Sequence, residues 1–474
     1  MRKPIRYYLL LILPAVLFFS YHPIITLGTN NTMNLELSLP EIWLALFSLM
    51  SLPYSKKLWR QFGWRNILLA FAIPLYSSLS IIWSGNRLRA ILTTGLLWLI
   101  AFSILNIIQI LRDNHRKGSS FQEILYKAIL IPAVIVSLFC WLQSTLDAAG
   151  VARENTLLCL GCTSQSFGFP HPNGFAIEPQ FMGNLLIVPT LLCYYLLKTS
   201  AYKKQKQRKI KIHLIVLTLF LNATLFFTFS RGAIYAFAIG LVAEQLLMIW
   251  STKSMKSKFT GFKFWLVPVL FCLAFVISLS VQGFFSAIGP TDDTFFSGIT
   301  KSIHQLSLGK IDLRPTDIKN SSDGVQNDDP DDLMNDPQAS SFSGYVAEST
   351  ERRLDLNQYA MDTWKSSAQY IWVGAGIGSA GIAMNRYMPE VIGAKEIVQN
   401  EYVSLLLETG IIGYIIIVAV VYCIVRKLWK NNNPRINPLF WSVILSFALT
   451  VLFFSGLPNA LQIYLLPPLL LSRK

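Results

Sequence analysis

The sequence predicts an all-α polytopic membrane protein of about twelve transmembrane helices, with one large extracytoplasmic loop subdomain between spans nine and ten. Three observations carry that reading. Hydrophobic residues make up 53% of the 474 and charged residues only 14%, and mean hydropathy is +0.45, well above a soluble globular chain. Apolar runs long enough to span a hydrocarbon core recur along the whole chain. Lysine and arginine collect in every second connection.

The expected spans lie at about 7–27, 38–54, 67–84, 90–111, 124–147, 179–197, 213–229, 232–250, 264–281, 400–425 and 438–456, with a shorter twelfth at 457–471. The first follows Arg2, Lys3 and Arg6 and leads into YHPIITLGTN, which offers no small-residue cleavage site. It reads as an anchor and not a removed signal peptide. The chain thus divides into spans one to nine (1–281), a long loop (282–399) and spans ten to twelve (400–474).

The basic connections are SKKLWRQFGWRN (55–66), RDNHRK (112–117), KTSAYKKQKQRKIK (198–211), STKSMKSKF (251–259), RKLWKNNNPR (426–435) and the terminal SRK. Twelve spans with both termini inside put all six on the cytoplasmic face of an inner membrane. The net charge of +15 is therefore an orientation signal, and nucleic acid is not expected as a partner because the charge is divided among membrane-flanking loops.

The same count sets Arg231, in FTFSRGAIYAF (227–237), at the outer end of the seventh span. An uncompensated guanidinium at bilayer depth costs several kcal/mol. Snorkelling to outer-leaflet phosphates is one explanation; a bound anion is another. The outer segment at about 148–178 ends in FGFPHPNGFAIEPQFMGN (167–184), a proline- and glycine-rich turn. There Glu178 stands at the mouth of the sixth span beside Gln180 and Asn184, either as a helix cap or as part of a polar cavity. His171 alone makes no metal site, and no metal or other cofactor is expected.

The loop 282–399 carries 16 of the chain's 26 acidic residues. Its middle, 312–341, is dense in Asp, Asn, Ser and Pro, and its composition predicts a disordered insertion. Order is expected to return at STERRLDLNQYAMDTWKSSAQY (349–370), with Ser349 or Thr350 capping a helix whose Leu354, Met361 and Trp364 share a face. Arg352 and Arg353 then fall in the first turn, the wrong end for a cation beside the helix dipole. IWVGAGIGSAG (371–381) follows without a Walker Lys-Ser/Thr, so a tight backbone turn is expected in place of a nucleotide loop. In VQNEYVSLLLETGIIGY (398–414), Glu401 and Glu408 are seven apart on one helical face, and Gly410 and Gly413 permit close packing.

Four of these stretches, in this order, resemble the O-antigen ligase and polymerase superfamily of bacterial envelope glycosyltransferases: PNGFA (172–176), SRGA (230–233), the Arg353-x₁₀-Trp364 segment with GAGIG, and QNEYVSLLLETGIIG (399–413). The resemblance covers roughly 160–425; residues 1–150 resemble the family only as generic spans. It implies transfer of a glycan from an undecaprenyl-diphosphate-linked oligosaccharide to a glycan or glycolipid acceptor, without nucleotide or metal. On that basis Arg231 and Arg353 would clamp the diphosphate, since guanidinium forks bidentately to phosphate oxygens. Arg352, Glu178, Asn173 and Asn400 would contribute to substrate binding. Gln399 stands where many members have a histidine that assists the acceptor hydroxyl, and glutamine cannot act as a general base. Glu401 or Glu178 would then take the proton, the donor would depart first so that little base assistance is needed, or the chain would be a polymerase-like or degenerate member.

A transporter or flippase would also have many spans, but should show two related halves and broken helices at the midplane. A non-catalytic scaffold would tolerate Arg231→Lys. Cys159 and Cys162, in CLGC, could pair on the outer face; Cys140, Cys193, Cys272 and Cys423 fall in spans as small apolar residues.

Overall fold

The computed structural model describes residues 4–19, 23–29, 34–115, 120–149, 165–166, 169–170, 172–176, 179–200, 208–251, 262–288, 294–307, 310–311, 313, 342–389, 391–394, 396–431, 437–453 and 460–471. His171, Glu178, Cys159, Cys162 and, apart from Leu313, the segment 312–341 lie outside the described residues.

In chain order come α1 (Ile5–Phe18), β1 (Pro23–Thr29), β2 (Asn34–Ser38), α2 (Leu39–Ser51), α3 (Ser55–Phe62), α4 (Trp64–Ser80), α5 (Arg87–His115) and α6 (Ser120–Ala148). After the two-residue strands β3 (Gln165–Ser166) and β4 (Phe169–Pro170) follow α7 (Pro179–Ser200), α8 (Arg208–Phe227), α9 (Arg231–Ser251), α10 (Phe262–Ile288) and α11 (Phe295–Leu306). The last are α12 (Phe342–Lys365), α13 (Ala368–Trp372), α14 (Ala380–Tyr387), α15 (Glu401–Asn431), α16 (Pro438–Thr450) and α17 (Leu461–Leu469).

Each expected apolar run carries a helix, and the chain is a multi-pass membrane protein. Among the described residues six helical stretches are long and apolar enough to cross a membrane: Arg87–Asn114, Phe121–Leu146, Pro179–Thr199, Arg231–Trp250, Trp265–Ile288 and Glu401–Lys430. Ile5–Phe18, Ile212–Phe227 and Pro438–Thr450 are apolar but shorter.

Three expectations need correction. The first span was expected to reach residue 27, but α1 ends at Phe18 and Pro23–Thr29 pairs antiparallel with Asn34–Ser38. Pro23 disfavours helix in the residue before it, and the β-branched Ile24, Ile25 and Thr26 suit a strand. The helix expected to begin at Ser349 or Thr350 begins at Phe342. An N-cap preference is worth only about 1 kcal/mol, so a cap residue inside a helix-forming stretch does not stop it, and Arg352 and Arg353 lie beyond the first turn. Leu354 is 63% exposed, while Leu356, Ala360 and Thr363 are buried. Their i, i+4, i+7 spacing defines the packed face.

The chain forms two compact units. One comprises Met1–Leu130, Ile239–Lys253 and Leu354–Lys474; the other comprises Ile131–Ala238 and Ser254–Arg353. In the first, α4 packs with α5 and α15, and α2 and α17 pack on α5. Local signals fix several of its helix starts. Ser38 and Glu41 close a capping box on α2, with Pro40 in its first turn, and Asn437 caps α16 through the Phe440 amide at 3.2 Å. A small core of Ala360, Ala375, Ala380, Met384, Val398 and Leu407, flanked by Trp364 and Tyr370, orders the segment that leads into α15. In the second unit α8 packs against α7 and α10, and α10 against α11. Phe227, Phe229, Phe285 and Ala148 form a buried cluster there.

Candidate functional site

In the first unit the glycine-rich segment proves to be the partner of a broken helix. Helix α15 is interrupted at Gly410, whose φ of 61° and ψ of −175° are non-helical. A break frees backbone groups that water cannot satisfy within a membrane protein. Here the Ala375 amide donates to the Leu407 carbonyl and the Gly376 amide to the Glu408 carbonyl, both at 2.9 Å. The Tyr76 hydroxyl donates to the Thr409 carbonyl at 2.7 Å. Gly374 and Gly410 both have positive φ and meet backbone to backbone. A side-chain carbon on Gly374 would stand 2.3 Å from the Glu408 carbonyl oxygen, so only glycine allows the approach.

The Glu408 carboxylate completes this joint. It accepts the Ala380 amide at 3.2 Å and interacts with the amides of Gly378 and Ser379 and the charge of Arg89. It thereby caps α14, where a carboxylate complements the helix dipole. The connection after α4 holds the other side: Trp83 Nε1 donates to the Val373 carbonyl at 3.2 Å, and the Ser84 and Ser379 hydroxyls hydrogen-bond at 2.6 Å.

Three site residues named from the sequence lie at the start of α15. Gln399 is half-buried. Asn400 caps the helix, its Oδ1 accepting the amides of Tyr402 at 3.0 Å and Val403 at 3.4 Å. Glu401 is 5% exposed, donates its own amide to the Val451 carbonyl at 3.0 Å, and lies within electrostatic reach of Tyr464.

The second unit holds the others. Arg231, half-buried, is the first residue of α9. The turn before it is strained, for Phe229 has φ 50°, a left-handed conformation that costs roughly 1–2 kcal/mol for a residue with a side chain. Its ring is 4% exposed within the aromatic cluster, which holds the turn in place. The Thr228 hydroxyl accepts the Ser230 amide at 3.3 Å, and the Ser230 carbonyl accepts the Ile234 amide at 2.9 Å.

Helix α7 presses on this turn through Gly183. A side-chain carbon there would stand 2.9 Å from both Ser230 Cβ and Ala233 Cβ. The next residue, Asn184, is fully buried, and among the described residues neither its Nδ2 nor its Oδ1 has a hydrogen-bond partner, nor does the buried Ser230 hydroxyl. Unsatisfied buried polar groups are uncommon in native proteins and call for an explanation, whether an ordered water, a bound ion or a functional role. Asn173 is buried in the PNGFA turn, its Oδ1 accepting from Gln143 Nε2 at 2.6 Å, while the Gly174 amide donates to Gln143 Oε1 at 3.1 Å. Arg352 is exposed and Arg353 half-buried on α12. Two groups thus emerge within single units: Ser230 and Arg231 with Asn184, and Asn400 with Glu401.

Residues 214–418 match the family model for O-antigen ligase (Wzy_C). The chain carries a domain of the O-antigen ligase and polymerase superfamily. No curated protein matches the chain. Within the matched ligase-type domain fall Arg231, Arg352, Arg353, Gln399, Asn400 and Glu401, whereas Asn173, Glu178 and Asn184 precede it.

Trp83, Arg89 and Arg386 carried no expectation in the sequence. A signal existed: Arg87 and Arg89, in SGNRLR (84–89), stand between the third and fourth expected spans. The charge count puts that connection outside, where basic residues need a reason.

Proposed function

We propose that this protein transfers a glycan from an undecaprenyl diphosphate carrier to an acceptor sugar hydroxyl at the outer face of the cytoplasmic membrane. The acceptor oxygen bonds to the anomeric carbon as its bond to the diphosphate oxygen breaks. The lipid diphosphate leaves with the bonding pair, and the hydroxyl proton passes to a carboxylate such as Glu401 or Glu178, or to solvent.

The observation that carries this reading is Arg231 at the first residue of α9. A guanidinium at the amino end of a helix is unfavourable for that helix alone. The same position, at the positive end of the helix dipole, favours a bound anion. A leaving diphosphate is such an anion, and preorganised donors aimed at it lower the barrier to its departure. Arg353 is proposed as a second fork, with the exposed Arg352 beside it as a bystander, and Asn173, Glu178 and Asn400 as binding residues. Gln399 favours a second reading, a polymerase of lipid-linked repeat units, because it offers no base where the ligases have histidine.

The test is incubation of the purified protein with undecaprenyl-diphosphate-linked oligosaccharide and candidate acceptors, with products sized by gel. One added glycan per acceptor supports ligation, and a ladder supports polymerisation. No product from wild-type protein with any acceptor, alongside intact donor, would remove the reading.

A further inference from the structure

Within the first unit lies a pocket of about 300 Å³. Its wall includes Trp83 and Gly85 from the connection between α4 and α5, Gln369 and Tyr370 from α13, and Ile382 and Arg386 from α14. The frame is built before any ligand arrives. Trp83 is tied to Val373, the Gly85 amide donates to the Ala375 carbonyl at 3.4 Å, and Ser367 caps α13 by accepting the Tyr370 amide at 3.1 Å. The floor is the same glycine segment that the broken α15 anchors.

The groups that face the pocket are not consumed by that frame. Arg386 is exposed, and among the described residues its guanidinium forms no ion pair or hydrogen bond. Its Nη1 would stand 3.6 Å from a side-chain carbon on Gly85, which sets the guanidinium beside the Gly85 side of the pocket. The Gln369 carboxamide is exposed too, and it supplies both donors and an acceptor.

The geometry points to a binding subsite for one sugar unit of a glycan substrate. The volume is at the small end of ligand pockets, matching a ring and not a lipid chain. Two aromatic residues, Trp83 and Tyr370, are among its lining, and aromatic surface suits the ring carbons of a sugar. Arg386, Gln369 and the Tyr370 hydroxyl offer mixed donors and acceptors to hydroxyl groups. A phosphate dianion fits less well, because it uses no acceptor and the pocket has a single cation. This inference rests on the glycosyl-transfer reading for its biological meaning, but it assigns a separate set of residues.

The test uses full-length protein in lipid nanodiscs free of sugar detergents. Saturation-transfer difference NMR is recorded with galactose, N-acetylglucosamine and glucuronic acid, and again with inorganic pyrophosphate as competitor. At least one sugar should show transfer from wild-type protein, and the signal should fall at least tenfold in the Arg386→Ala, Gln369→Ala double variant, both positions being exposed. Absence of signal for every sugar, an unchanged signal in the double variant, or full displacement by pyrophosphate would each overturn the subsite. Glycosyl transfer is measured in parallel. If wild-type protein transfers glycan and the double variant keeps the same KM for both substrates, the subsite is wrong and the transferase reading stands. If wild-type protein transfers nothing yet binds sugar through Arg386 and Gln369, the transferase reading falls and the sugar subsite stands.

Discussion

The glycine segment 374–378 and the turn Thr228–Arg231 are both tight backbone passages beside a helix end, and they resolve the same difficulty in opposite ways. In the first, the positive φ values belong to Gly374, Gly376 and Gly378, where they cost little. The carbonyls of Leu407, Glu408 and Thr409 freed by the break in α15 all find donors. In the second, the positive φ belongs to Phe229, and Asn184 and the Ser230 hydroxyl stay buried and find no partner among the described residues. A region with its polar groups paired and its conformation unstrained is a joint. A region that keeps strain and unmet polar groups next to an arginine is the better candidate for chemistry.

The largest expected effect breaks the joint. Gly374→Ala adds the left-handed penalty of roughly 1–2 kcal/mol to a carbon 2.3 Å from the Glu408 carbonyl oxygen. Loss of more than about 3 kcal/mol is expected in total, seen as a large drop in the thermal midpoint followed by tryptophan fluorescence. Gly393→Ala, with nothing within 4 Å of the added carbon, should leave the midpoint within a degree or two. Equal midpoints for the two variants would mean that the segment does not hold α15.

The second effect is on chemistry and leaves the fold alone. Arg231→Ala should cost about 2–4 kcal/mol in kcat/KM for glycan transfer, with thermal stability nearly unchanged. Arg231→Lys should restore little, since an ammonium lacks the fork. Arg353→Ala should act similarly, and the double variant should cost less than the sum, as for residues that act on one group. Full transfer by Arg231→Ala would transfer the site to other residues and reverse the comparison.

How much of this was legible differs between the two regions. The spans were readable because length and hydropathy are properties of contiguous residues. Arg231 was readable because a cation in FTFSRGAIYAF conflicts with its own neighbours. The role of GAGIG as a partner for a broken helix was not, because the Gly376 amide and the Glu408 carbonyl it meets are separated by more than thirty residues. Tyr76 and Trp83 reach their partners from near the opposite end of the chain, and nothing local announces such contacts. Gly410 itself looked like close packing in a continuous helix, since a helix break and a small-residue interface leave the same mark in sequence. The early start of α12 was hidden by Ser349 and Thr350, which are good caps that the chain does not use. Asn184 was visible as a polar residue entering a span, but its lack of partners is a property of packing alone.

That lack gives a third, smaller effect that sharpens the contrast. Asn184→Leu replaces unsatisfied buried amide atoms with an apolar side chain of similar size. Stability should hold or rise by about 1 kcal/mol, while transfer falls about tenfold, the trade expected where function keeps a costly group. A stability loss comparable to that of a core deletion, with transfer per folded molecule unchanged, would make Asn184 a structural residue whose partner is water.

The smallest effect is reserved for Arg352. It neighbours Arg353 on α12, about 100° around the helix, and it is exposed where Arg353 is half-buried. An exposed guanidinium gains little from any single charge, because water screens it and its long side chain loses entropy on being held. Arg352→Ala should therefore change kcat/KM by less than about 0.5 kcal/mol and leave the midpoint in place, making it the internal control for Arg353→Ala on the same turn. Measuring both at two salt concentrations separates the remaining possibilities. A general attraction for the anionic carrier would weaken with salt in both variants alike, whereas a bidentate grip by Arg353 would leave a salt-independent gap between them. If instead Arg352→Ala carries the large loss and Arg353→Ala none, the exposed face of α12 is the one that meets substrate, and the choice of Arg353 as the partner of Arg231 is the part of the argument that goes.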